Sequence, residues 1–387
     1  GVDRDGLAVA LEVLAAKGAK GAKSSKSDVV GLKLEAARLA ELALGDVGPA
    51  KGRPAVFDGY AALLPPAALS PVSGEVSRVV DAVFPSGQPE LDDELARLAA
   101  MVSSARPQLL AKFLARIDRR SHPVSDLHFL ITASRIPLAR DASQRQATAT
   151  ALVGLQAKID RGGLNQDSNW DDRLGELYAA LCANDPQLPR AVLETPGFGL
   201  PSHVLFLRRM SREDRPRARA MFVAAILKAG EDYPWTGEVV SVLGESAGAQ
   251  TLALLRSVHD RIDVRGSVVL ELARGARRVD RKRFVTGLQS SSLAVLSSCL
   301  GALAKLPAAR GAGEQLALLS VVRRLGAGAL EHGLRSRAVS LLRRNTGKTF
   351  GFVTGEKGRV AQQKAVAAWT DHLERAYPEE TKRLLGA

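Results

Sequence analysis

The sequence predicts an all-α protein, an irregular stack of helical hairpins. Three observations carry that expectation. Ala and Leu, both strong helix formers, are prominent in the composition. Apolar residues recur at helical spacing in one segment after another. The segments return about every 20 to 25 residues, or about 40 to 50 per pair, which is the HEAT and armadillo range. The expected fold is therefore a HEAT/armadillo-like α-solenoid with a less regular N-terminal portion. Two regions follow: residues 1–75, N-terminal helices with basic and Pro/Gly-rich linkers, and residues 76–387, a HEAT-like helical repeat domain.

Leu7 to Ala16 and Val29 to Leu44 read as the first two helices. Between them KGAKGAKSSKS, residues 17–27, is a flexible basic linker without the means to form a core, and it lacks P-loop spacing. Pro49, Pro54, Pro65, Pro66 and Pro71 argue against a long helix in residues 45–75. Gly74 to Phe84 reads as a short helix closed by Pro85. From Pro89 the signal becomes regular. Leu91, Leu95, Leu98 and Val102 mark one face, and Asp92, Asp93 and Glu94 suit the positive end of the helix dipole. Pro107 opens the next helix, with Leu110, Phe113, Leu114 and Ile117 aligned. Ser125 is placed to cap Leu127 to Ile136, and Gln144 to Ile159 follows. RGGLNQDSNW, residues 161–170, breaks the run before Asp171 to Ala183, where Leu174, Leu177 and Leu181 align. Residues 184–203 read as a proline-containing connector. Ala218 to Lys228, Gly237 to Leu243, Gln250 to His259 and Ser267 to Arg274 are the next helices.

Arg277 to Pro307 is the hairpin around which the chain is best organised. Asp280 is placed to cap a short helix carrying Phe284, Val285 and Leu288. Ser291 or Ser292 is placed to cap the longer helix, because a hydroxyl there accepts from an unpaired N–H of the first turn. Leu293, Leu296, Leu300 and Leu303 share a face, Cys299 and Leu306 lie beside it, and Pro307 cannot continue the ladder. Such a hairpin buries one side only and needs like neighbours. Glu314 to Leu325, Leu334 to Arg343 and Val360 to Tyr377 complete the chain, with a short extended stretch expected within residues 347–358.

Lys and Arg outnumber Asp and Glu by 54 to 41, a net charge of +13. That balance suits nucleic acid, anionic surfaces or acidic partners. The plainer reading is arginine distributed over solvated faces. No apolar run approaches the roughly 18 residues of a membrane span, and no signal peptide is visible. The chain begins with Gly1, so a processed chain or a piece of a longer one is expected. Cys182 and Cys299 each sit in an apolar helical pattern and read as buried small hydrophobes, not as a disulfide or metal pair.

No catalytic, cofactor or metal site is expected. GxGxxG and Walker A patterns are missing, and His122, His128, His203, His259, His332 and His372 form no ligand-like pair. His128 reads as packed in its helix, and His259, before Asp260 and Asp263, as a helix-end contact. Asp167, Asp171 and Asp172 around Trp170 lack EF-hand spacing, and Ser241 has no base partner legible in the sequence. Two basic clusters stand out, one over residues 208–219 and one over 274–283. Arg208, Arg209 and Arg212 of the first, with Arg274, Arg277, Arg278, Arg281, Lys282 and Arg283 of the second, are the candidate anion- or partner-binding residues. At inter-helix turns such runs can meet phosphates.

Several local patterns together point to a family. They are VFPSGQPELDDELARLAAMV at 83–102, LHFLITASRI at 127–136, RGGLNQDSN at 161–169, RFVTGLQSSSLAVLSSCLGALAKL at 283–306, SRAVSLLRRNTGKTFGF at 336–352 and AWTDHLERAYP at 368–378. In this order they resemble the HEAT-like helical segment of multidomain bacterial PVC-type haem-binding CxxCH proteins, over roughly residues 80 to 380. The resemblance implies a β-propeller before the helical segment and a c-type cytochrome domain after it. Cys182 is followed by Ala-Asn-Asp and Cys299 by Leu-Gly-Ala, so no CxxCH haem attachment is present. A c-type haem is expected only in a neighbouring domain. The expected function is a non-catalytic scaffold or interaction module of a larger exported, periplasmic redox protein, whose partners are neighbouring domains or another protein. The alternatives are a cytoplasmic nucleic-acid-binding repeat protein using the basic clusters, and an enzyme whose site is assembled from distant helices.

Overall fold

The computed structural model describes residues 3–16, 26–45, 53–63, 66–246, 248–326, 329–353 and 358–385. Most of the basic linker 17–27 lies outside them, as do residues 354–357 of the expected extended stretch. All regular structure among the described residues is helical. The chain packs as two compact units, Gly1–Lys228 and Ala229–Ala387.

Unit 1 holds α1 (Arg4–Ala15), α2 (Lys26–Ala43), α3 (Pro66–Val83), α4 (Pro89–Met101), α5 (Pro107–Leu114), α6 (Pro123–Ser134), α7 (Ala142–Gly162), α8 (Trp170–Asn184), α9 (Leu188–Glu194) and α10 (Arg215–Ala229). From α1 to α9 the helices touch the next or the next but one: α1 packs on α2 and α3, α2 and α3 on α4, α4 and α5 on α6, α6 on α7 and α8, and α7 on α9. That alternation is what stacked hairpins produce. The apolar faces read from the sequence are the buried ones, with Leu91, Leu95, Leu98 and Val102 in one cluster with Leu110, Phe113 and Phe129. Phe84 meets Phe113 edge-on at 4.8 Å, and Phe113 stacks on Phe129 at 6.1 Å. The expected boundary at residue 75 falls inside this unit. Leu7, Leu11, Ala37 and Val79 share the cluster with the later helices.

Unit 2 holds α11 (Gly237–Gly244), α12 (Ala249–Ser257), α13 (Arg265–Gly275), α14 (Arg281–Gly287), α15 (Leu293–Lys305), α16 (Ala312–Arg324), α17 (Ala329–Thr346), α18 (Arg359–Ala376) and α19 (Pro378–Leu385). Here α11 packs on α13, α13 on α15 and α15 on α17, while α14 packs on α16 and α16 on α18. Successive helices also meet, α14 with α15 and α16 with α17, so the unit is a stack of packed helices. The 277–307 hairpin forms as expected. Ser292 caps α15 by accepting from the Val295 N–H at 3.5 Å, and Leu296, Cys299, Leu300 and Leu303 are buried.

Several local expectations need correction. Helix α3 starts at Pro66 and keeps Pro71 inside it. Pro66 is at the first position, where no N–H is needed, and Pro71 removes one bond in the second turn. Helix α6 begins at Pro123 with His122 as its cap, so Ser125 lies within the first turn. The 184–203 connector contains α9, and a 3-10 helix, Pro201–Arg209, overlaps its end. Asp280 precedes α14 but makes no side-chain cap bond; its buried carboxylate instead takes two bonds from Arg256, at 2.7 and 2.8 Å. Asp92 accepts from the N–H and hydroxyl of Ser86, at 2.6 and 2.8 Å, and so fixes the entry to α4 in addition to matching its dipole.

The last carbonyls of a helix have no N–H of their own helix to accept from. In this chain, side chains from other helices and turns supply the donors. Arg324, at the end of α16, donates to Leu288 O, Gln289 O and Ser290 O at 2.8–3.0 Å, beyond the end of α14. Arg344, at the end of α17, donates to Leu303 O and Ala304 O at 3.0 and 2.8 Å, closing α15. Lys112 closes α3 through Asp81 O and Phe84 O, at 2.7 and 2.9 Å. Arg140 and Asn184 close α6, Arg140 through Ala133 O, Ile136 O and Leu138 O, and Asn184 through Ser134 O.

Two stability outcomes follow. Arg256→Ala leaves the Asp280 carboxylate buried without its main partner, and chemical denaturation of unit 2 should register a loss of about 3 kcal/mol. The paired Arg256→Met, Asp280→Leu variant should lose less than the single one. Arg324→Ala should cost about 1 kcal/mol through its lost carbonyl bonds, with Arg324→Lys recovering only part of it, since an ammonium lacks the planar fork.

Candidate functional site

Arg208 and Arg209 end the 3-10 helix and Arg212 lies in the turn before α10; all three are exposed and lie in unit 1. The cluster from Arg274 to Arg283 lies in unit 2 and divides by role. Arg281 makes two bonds to Glu314, at 2.7 and 3.1 Å, across α14 and α16. Glu314 also accepts from Asn345 at 2.8 Å, which adds α17 to the same contact. Arg283 reaches Asp280 at 3.5 Å and the Arg256 carbonyl at 3.4 Å. Arg274 pairs with Glu271 at 2.5 Å through an otherwise exposed side chain. Arg277, Arg278 and Lys282 are exposed. Part of this cluster is thus architectural, and part faces solvent.

The buried histidines are structural. His203 Nδ1 accepts from the N–H groups of Gly199 and Leu200, at 3.0 and 3.1 Å, and Nε2–H donates to Val153 O at 3.1 Å. Phe198 stacks on the ring at 5.3 Å. Gly199 sits at φ +120°, and a Cβ there would come within 2.9 Å of Met221 O and Ala225 Cβ, so only glycine can present its N–H this way. Burial holds the imidazole neutral, with its pKa down at about 4. His128 is likewise down at about 4, by burial and by the nearby Arg97, and the Tyr60 hydroxyl bonds its Nδ1 at 2.8 Å. His259 pairs with the exposed Asp260 at 2.9 Å, a side-chain contact in the turn after α12.

The Ser241 hydroxyl, without a legible partner in the sequence, donates to Glu271 Oε1 at 3.2 Å, from α11 to α13. Gly244 leaves the room for that carboxylate, which a Cβ would strike. Burial pushes the Glu271 carboxyl up, against the pull of Arg274. Ser241 meets a carboxylate and not an imidazole, so the pair lacks the group that shuttles the proton in serine catalysis. Burial also pushes the Cys182 thiol up to about 11 and Cys299 up to about 12, which leaves both unreactive near neutral pH.

Sequence reasoning missed a cavity of about 540 Å³ in unit 1. Leu127 and Ile131 of α6, Leu174 and Leu177 of α8, Val56 and Trp170 are among the residues that line it. The one signal available was a tryptophan in the polar run 161–170. Its rim charges are paired, Asp58 with Arg53 at 3.2 Å and Asp167 with Arg173 at 3.7 Å, and do not converge on a point. Asp167 also accepts from the Asn169 N–H at 2.9 Å, so this aspartate organises the turn before α8. Among the described residues no group of three or more His, Cys, Asp or Glu could hold a metal ion.

The histidine environment has a pH signature. The folded pKa of His203 lies below its unfolded value, so its stabilisation is full above about pH 6.5 and is lost as pH falls toward about 4. A shift of that size corresponds to roughly 3 kcal/mol. Gln in place of His203 can accept and donate without titrating. The drop in denaturation midpoint between neutral and acidic pH should therefore be smaller for His203→Gln than for the parent chain.

No protein-family model, no curated protein and no solved structure matches this chain.

Proposed function

We propose that this chain is a non-catalytic α-solenoid, a HEAT-like scaffold that holds neighbouring domains or a protein partner on its surface. The observation that supports this most directly is where its ionisable groups stand. Asp126, Asp280, Glu314 and Asp185 are buried and each is bound to Lys or Arg of another segment: Lys158, Arg256, Arg281 and Arg145 respectively. These pairs fix one helix against another and leave no reacting group at their centre. The exposed basic residues Arg208, Arg209, Arg212, Arg278 and Lys282 are then available as contact residues, with Arg277 exposed beside them.

The setting inferred from the sequence motifs is a larger exported redox protein with c-type haem in a neighbouring domain and a periplasmic location. The cysteines of this chain do not fit haem attachment: Cys299 is fully buried against Gly287, and Cys182 is half-buried on a helix of the other unit. The chain itself would therefore act as the spacer and not as the electron carrier. No helix among the described residues is long and apolar enough to cross a membrane.

The test is the visible spectrum of the full-length natural polypeptide, oxidised and then reduced with dithionite. Sharp reduced c-type bands are expected, and a colourless product would remove the redox setting. Salt-sensitive binding to an oligonucleotide, lost in Arg208→Gln with Arg212→Gln, would favour the nucleic-acid reading instead.

A further inference from the structure

We propose that the α12–α13 and α13–α14 turns of unit 2 form a peripheral binding surface for an anionic lipid bilayer. Two aliphatic side chains protrude there. Ile262, in the turn between α12 and α13, is 87% exposed, and Val279, in the turn between α13 and α14, is 64% exposed. Neither position gains from burial within its own unit, and an aliphatic group held in water gains on transfer to an apolar environment.

The two turns are tied together. Arg256, near the end of α12, holds Asp280 beside Val279 through two bonds, at 2.7 and 2.8 Å. Arg283 donates to the Arg256 carbonyl at 3.4 Å, and it lies close enough to Asp260 to help lower that carboxyl. The turns that carry Ile262 and Val279 are therefore linked through Arg256 and Arg283.

The surroundings are strongly basic. Residues 256–283 contain nine Arg and Lys against four Asp and Glu. Of the four, Asp280 is buried beneath Arg256, Asp263 pairs with Arg261 at 3.3 Å and Glu271 with Arg274 at 2.5 Å; Asp260 stays exposed beside His259. Arg277, Arg278 and Lys282 face solvent next to Val279. Aliphatic tips among basic side chains match the interfacial layer of a bilayer. The alkyl groups enter the acyl boundary and the cations meet lipid phosphates. A single-stranded nucleic acid is the poorer match, because it calls for exposed aromatic platforms, and Tyr233, Trp235 and Trp369 of this unit are buried.

The test is co-sedimentation of the full chain with vesicles of phosphatidylcholine alone or with about 30% phosphatidylglycerol, at about 50 and about 300 mM NaCl. Binding to the anionic vesicles at low salt, release at high salt and little binding to neutral vesicles are expected. Ile262→Ser with Val279→Ser should weaken binding several-fold, and Arg278→Gln with Lys282→Gln about tenfold or more. All four side chains are exposed, so circular dichroism and melting should stay unchanged in both variants. Lack of binding to anionic vesicles, equal binding to neutral ones, or full binding by the aliphatic double variant would overturn the proposal. So would binding of an oligonucleotide, but not of vesicles, through the same basic residues.

Discussion

A helix leaves its last carbonyls without donors, and a stack of many short helices multiplies that problem. Buried carbonyls that lack a partner cost free energy on the scale of a lost hydrogen bond each. This chain meets the constraint with long cationic side chains that reach from one helix to the end of another. Arg324 serves α14, Arg344 serves α15 and Lys112 serves α3. Each contact also places a positive charge at the negative end of a helix dipole. The planar guanidinium carries several donors in a fixed fork, so one arginine can serve two or three carbonyls at once. The arginine content that suggested polyanion binding in the sequence is, at these positions, part of the packing.

Buried carboxylates do complementary work at the other ends of the helices. Asp126, in the first turn of α6, accepts from Ser121 at 2.5 Å and pairs with Lys158 of α7. Glu314, in the first turn of α16, joins Arg281 of α14 and Asn345 of α17. Such pairs add little net stability against an apolar alternative, because desolvating two charges offsets their attraction. They have a geometric consequence that Leu and Ala contacts lack. An apolar face can slide by a residue at small cost, whereas a two-point Arg–carboxylate bond holds in one register only.

The same economy occupies interior titratable and hydroxyl groups. His203 is held by three hydrogen bonds to backbone, and Ser241 by Glu271. The surface of unit 2 carries exposed cations together with exposed aliphatic side chains, Ile262 and Val279 among them.

The helices themselves were legible because they are local. Periodic Leu and Ala, the Ser292 cap and the Pro107 and Pro307 boundaries depend on residues within a turn or two of each other. Sequence patterning missed α9 and α19 and shortened α3, since brief helices carry few periodic residues and an early proline costs only one bond. Of the candidate residues, the sequence marked the basic clusters but not their division. Arg281 and Arg278 are three residues apart, and only packing against Glu314 makes one architectural and leaves the other in solvent. The Trp170 cavity and the joining of the Ile262 and Val279 turns were also beyond reach, because they rest on contacts between segments distant in the chain. By itself, then, the sequence determined that the chain is helical and where most helices lie, through local propensity and periodicity. Which carbonyl each arginine closes, which carboxylate fixes which register and which apolar groups stay in water were decided by tertiary structure alone, since each depends on the approach of helices that local sequence does not encode.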